Sequence, residues 1–97
     1  MVTKTDYELL GGLKDYTPKD SLFTSGEEMK LIQDTLQLQD RDVLSLRNLR
    51  NYVMLCYLEK AHRYEDRFCK EAMDLSQAMY SITAVIDDAI WRAGAEV

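Results

Sequence analysis

The chain has 97 residues, a net charge of -5, 46% hydrophobic and 30% charged residues. That is one globular domain, and the acidic balance argues against wrapping duplex DNA or RNA, where a basic face is expected. A small anionic ligand needs only a local basic pocket and stays open.

No apolar run reaches membrane-spanning length, and the first residues lack the charged, apolar and small-residue order of a signal peptide. The expectation is a soluble protein of the cytoplasm with no membrane partner.

Residues 1–25 form an N-terminal arm that holds Pro18, Gly11 and Gly12. Tyr7, Leu9, Leu10 and Leu13 suit a short amphipathic turn that Gly11-Gly12 ends. Pro18 fixes its own φ and pushes Thr17 toward extended backbone. Tyr16 is either a loop aromatic packed on a neighbour or a stacking surface. Lys19 to Thr24 continues as loop, with Leu22 and Phe23 available to pack.

Ser25 with Glu28 three residues on is a capping box, and Glu27 and Glu28 suit the positive end of a helix. From there to Gly94 there is no proline, and Gly26 is the only glycine in between. Met29, Ile32, Leu36, Val43, Leu46, Leu49, Val53 and Cys56 recur at helical spacing and predict helix A over 26–61. Asp40-Arg41-Asp42 is its one optional break. Leu38, Leu44, Tyr52, Leu55, Tyr57 and Leu58 fall off that stripe, as expected of a helix with partners on two faces.

Polarity peaks from Glu59 to Arg67, which places a turn there, with His62 as a solvated turn residue. Phe68, Ala72, Leu75, Met79, Ile82, Ile86 and Ile90 then predict helix B over 67–93, with Gly94 just past its end. The expected fold is all-α: a single domain over 1–97, an antiparallel helical hairpin with a short N-terminal arm. A hairpin buries a poor core alone, so it is expected to assemble into a homo-oligomer.

Cys56 and Cys69 stand level across such a hairpin, which permits a disulfide by spacing; reduced, apolar thiols are the expectation in a cytosolic protein. With His62 they are too few for a metal site. No nucleophile, base and acid converge, so no catalytic residue, cofactor or metal is assigned. Arg47 and Arg50 lie three apart on one helix face, with Arg41 a turn or so earlier, and form either a solvated face or an anion-binding edge. Lys14, Lys19 and Lys30 bracket the arm and the first helical turn. Together with Tyr16 and the free N–H groups of that turn they suit phosphate and a stackable base.

Two stretches carry a resemblance to a known family. One is Leu13-Lys14-Asp15-Tyr16-Thr17-Pro18 followed by Met29-Lys30. The other is Leu75, Gln77, Thr83, Val85, Ala89, Ile90 and Trp91 near the C-terminus. In this order the chain resembles the small phage-encoded sponge proteins that counter CBASS, the bacterial immune system that signals through cyclic oligonucleotides. The resemblance covers about half of the chain, at its two ends.

The resemblance implies a helical protomer assembling into a homohexamer in the host cytoplasm. Such proteins bind cyclic dinucleotides between protomers, several bind cyclic trinucleotides in separate pockets, and the signal is sequestered without cleavage. By the same resemblance, Tyr16 stacks on a base, Pro18 shapes the loop, Lys30 contacts phosphate, and Thr83 and Arg92 contact ligand. The Tyr16–Lys30 spacing is one residue shorter than usual in the family, and Arg92 is shifted from the family's arginine. The alternatives are a sponge for a cyclised ADP-ribose signal of the Thoeris type, and a helical protein-interaction or inhibitor module.

Overall fold

The computed structural model describes residues 5–14, 16–18, 25–66 and 68–95. Asp15, Lys19, Leu22, Phe23 and Arg67 lie outside the described residues. Every described element is helical: α1 (Asp6–Gly11), α2 (Gly26–Thr35), a 3-10 turn (Leu38–Asp40), α3 (Val43–His62) and α4 (Lys70–Ala95).

The arm's apolar turn is α1. Thr5 caps it by accepting from Glu8 N at 3.3 Å, and Leu9 within it and Leu13 in the turn after it are both buried. α2 starts on the expected capping box. Ser25 Oγ accepts from Glu28 N at 3.3 Å, while Glu28 Oε2 accepts from Ser25 N at 3.0 Å. These bonds satisfy two of the N–H groups that a helix start leaves open.

Helix A over 26–61 is not one helix. It breaks at Leu36–Asp42, and the chain re-enters helix at Val43. Gln37 takes the left-handed conformation, φ 54°. For a residue with a side chain this costs about 1–2 kcal/mol. The bend buries Leu36 (0% exposed) and Leu38 (3%) on the same core. A fully buried leucine contributes about 1.5–3 kcal/mol, so the pair outweighs the strain.

Asp42 then caps α3, its Oδ1 accepting from Ser45 N at 2.7 Å. Arg41 ties the break together. Its Nε donates to the Leu36 carbonyl at 3.0 Å, Nη1 to Ser45 Oγ at 3.1 Å and Nη2 to Asp6 Oδ1 at 2.8 Å.

Helix B also starts later than 67–93 suggests, at Lys70, since Phe68 and Cys69 still belong to the turn that precedes it. Phe68, read as the first core residue of that stripe, is 84% exposed in this turn. The inward stripe begins at Ala72 instead and continues through Met79, Ile82 and Ile86.

The core lies between α3 and α4, the most extensively packed pair of helices. Leu46, Leu49, Val53 and Tyr57 meet Ala78, Met79, Ile82, Val85 and Ile86, with Ile32, Leu36, Leu9 and Leu13 closing one side. Near the start of α3, Leu46 shares a pocket with Asp88, Ala89, Arg92 and Ala93. Near its end, Tyr57 shares one with Glu71, Asp74, Leu75 and Ala78. Leu44 and Leu55 point away from this core, at 68% and 67% exposure.

α1 and α2 approach closely where they end. A Cβ built on Gly12 would stand 2.8 Å from Thr35 Cγ2. Gly12→Ala is therefore expected to cost about 1 kcal/mol by overpacking. Adding Thr35→Ser removes the obstructing methyl and should restore most of the loss in chemical denaturation; equal stability of the single variant and the parent contradicts this contact.

Candidate functional site

Tyr16 emerges from the turn after α1 and lies half-buried against α2 and α4. Its hydroxyl donates to Glu28 Oε1 in a long bond of 3.4 Å. Glu28 is itself buried, 6% exposed, so one carboxylate holds both the start of α2 and the tip of the arm. The site is thus positioned by the same capping box that begins the helix.

Around Tyr16 is an open pocket of about 320 Å³. Tyr57 comes from the last turns of α3, Tyr64 from the turn after it, and Lys14 and Thr17 from the arm. Glu71, Asp74, Leu75 and Ala78 on α4 form the opposite wall. A second pocket of about 280 Å³, lined by Tyr7, Leu10, Gly11 and Cys56, shares Lys14 and Tyr57 with the first and adds Lys60.

Lys60 Nζ stands 5.4 Å from the Tyr57 ring centroid, within cation–π range. The result is a strip of four tyrosines, Tyr7, Tyr57, Tyr16 and Tyr64, with the lysines Lys14 and Lys60 along it. The rings of Tyr7, Tyr16 and Tyr64 supply stacking surface over the buried Tyr57, ammonium groups supply phosphate contacts, and the Glu71 and Asp74 carboxylates can accept from exocyclic amines.

The other site residues read from the sequence do not join Tyr16 within one chain. Pro18 is half-buried, two residues beyond it. Lys30 is exposed and lines none of these pockets. It follows Glu28 by two positions, about 200° around the helix, so it cannot share that inward face.

Thr83 is 7% exposed, and its hydroxyl donates to the Tyr80 carbonyl of its own helix at 3.2 Å. Its place on the inward face explains this: Met79, Ile82, Thr83 and Ile86 follow the ordinary buried spacing. Arg92 lies by a separate pocket of about 300 Å³ with Gln33, Gln39, Arg41 and Asp88.

In that pocket both guanidinium groups already face carboxylates. Arg92 Nε is 3.1 Å from Asp88 Oδ2, and Arg41 is bound to Asp6. The Arg92–Asp88 pair is close in distance but does not align as a hydrogen bond, and Asp88 Oδ2 is shielded from solvent. Arg50 pairs with Asp87, while Arg47 is exposed. The arginine edge is therefore mainly structural at Arg41 and Arg50.

Cys56 and Cys69 are half-buried free thiols. Among the described residues no three His, Cys, Asp or Glu side chains converge as a metal site.

Compared with known proteins, the chain matches no family model, no curated protein and no solved structure.

Sequence reading missed Tyr57, Tyr64 and Lys60 as site residues. Their signal is present in part: Tyr57 and Lys60 are three apart on one face of the end of α3, and Tyr64 follows in the turn just past it.

Burial raises the Tyr16 hydroxyl above its ordinary pKa of 10.0; a Ser81 hydrogen bond opposes this, and the Glu28 charge adds to it. Burial likewise raises Tyr57, with the neighbouring Cys56 and Tyr16 adding to it. A raised tyrosine pKa means that the fold prefers the neutral phenol. Its contribution is complete below about pH 10 and is lost as pH rises through the folded-state value. Stability should fall in the alkaline range, and Tyr57→Phe should make that fall shallower in denaturation curves taken across pH. An unchanged alkaline slope would contradict the burial of this hydroxyl.

Proposed function

We propose that this protein is a non-enzymatic sponge that binds and sequesters cyclic di- or trinucleotides, acting as a phage immune-evasion protein in the host cell. The observation that carries the reading is the anchored Tyr16 ring, half-buried beside Tyr57 and Tyr64 with Lys14 at the rim. A base stacked there gains about 1–3 kcal/mol. The adjoining pocket beyond Lys14 and Tyr57 offers a second aromatic surface, with Lys14 and Lys60 in reach of the linking phosphates.

Both pockets are open, so a ligand would be enclosed only by a second wall. That supports a homo-oligomer, a hexamer by the family resemblance, with Lys30 and Arg92 contributing from a neighbouring protomer. This is how residues on separate faces of one chain can serve one ligand. Antiparallel α3 and α4 form the hairpin that carries the strip. A second reading, a helical protein-interaction module, is favoured by the outward leucines Leu44 and Leu55. A cyclised ADP-ribose signal is the competing ligand class.

Calorimetry with cyclic GMP–AMP tests the proposal. The parent is expected to bind; Tyr16→Ala should weaken binding at least about tenfold, which corresponds to about 1.4 kcal/mol, and Tyr16→Phe should retain most of it. Intact nucleotide recovered after heating the complex distinguishes sequestration from hydrolysis. A parent that binds no cyclic di- or trinucleotide, or binding untouched by Tyr16→Ala, sinks the reading.

A further inference from the structure

We propose that the outward face of α4 is a two-fold interface, in which α4 pairs antiparallel with α4 of a second copy of this chain. Met73, Gln77, Tyr80, Ala84, Asp87 and Trp91 recur at alternating intervals of four and three residues, the seam spacing of a coiled coil. This stripe lies about 160° around the helix from the buried one. Its aromatic members are largely uncovered, Tyr80 at 68% and Trp91 at 74% exposure.

The stripe is complementary to itself in reverse. In one antiparallel register all six positions are paired at once. Tyr80 faces Ala84 of the second copy, large against small. Trp91 faces Met73, a thioether beside an indole, which is a favourable contact. Gln77 faces Asp87, whose carboxylate accepts from the amide while its Oδ1 also takes Arg50. Sliding the pair by a heptad sets Ala84 against Asp87, or Gln77 against Tyr80, and leaves end positions unpaired.

The outward face of α3 is the rival surface, but a seam there places Asn48 and Asn51 at its centre and has no aromatic anchor. Trp and Tyr are the side chains that most often dominate interface energies. Full burial of the Trp91 and Tyr80 rings from both copies covers on the order of 500 Å². The α4 seam runs about 27 Å along the helix. With Met73, Ala84 and the stems of flanking side chains added, it approaches the ~1,000 Å² expected of a specific interface.

The proposal rests on the self-association in the reading above and not on its ligand. Sedimentation velocity of the full chain in nucleotide-free buffer tests it. The parent should run as a dimer or an assembly of dimers. Ala84→Arg and Trp91→Ala should each weaken that association at least tenfold, with helicity retained. Leu55→Arg on α3 should leave it unchanged.

A parent that stays monomeric into the millimolar range overturns the proposal. So does a folded Ala84→Arg chain that associates like the parent, or dissociation by Leu55→Arg instead. A failed nucleotide titration would leave this sedimentation result where it is, so the two readings fail separately.

Discussion

Arg41 is the constraint on which the arrangement of helices depends. The chain breaks after Thr35 and restarts at Val43, and a break of this kind leaves carbonyls at one helix end and N–H groups at the next. Arg41 meets the first need with its bond to the Leu36 carbonyl and steadies the second through Ser45. Its remaining arm reaches Asp6, at the start of α1. One planar fork thus joins three helices, and its side chain is only 13% exposed. A lysine has three donors but no rigid plane, and could not hold three directions at once.

The candidate site follows from that joint. Once α1 is held against α3, Leu9 and Leu13 are buried and the chain after Gly12 is carried past α2. Tyr16 then meets Glu28, a carboxylate already fixed by the Ser25 cap. The ring is presented to the end of α3, where Tyr57 and Tyr64 wait, instead of to solvent. Capping, docking and pocket form one chain of causes, and each link is a local feature of the sequence.

Local features were accordingly legible. The capping box at Ser25, the amphipathic turn at Tyr7–Leu13 and the long C-terminal helix follow from spacing alone. The break in helix A did not, because no proline or glycine marks it. Gln37 accepts a left-handed backbone only because burying Leu36 and Leu38 compensates, and that gain belongs to tertiary packing.

The site was half legible for a similar reason. Tyr16 and Lys14 stood out in the arm, but Tyr57 was masked by a stripe drawn through an unbroken helix. Lys30, Thr83 and Arg92 rest on the family resemblance, which carries no information on how the helices pack in this chain. Helical phase separates them: Thr83 faces the core, while Lys30 and Arg92 face outward.

The same phase divides the molecule into an inner seam that makes the fold and outer faces that are uncovered. An aromatic, lysine-edged strip lies on one side of the molecule, and the exposed Tyr80 and Trp91 lie on another. The central claim is that the tyrosine strip is where ligand sits. Nuclear magnetic resonance titration of the labelled chain with cyclic GMP–AMP tests it most directly. The account predicts that the largest shifts fall on Lys14, Tyr16, Tyr57 and Tyr64. Shifts confined to the Arg41 and Arg92 pocket, or none at all, would contradict it.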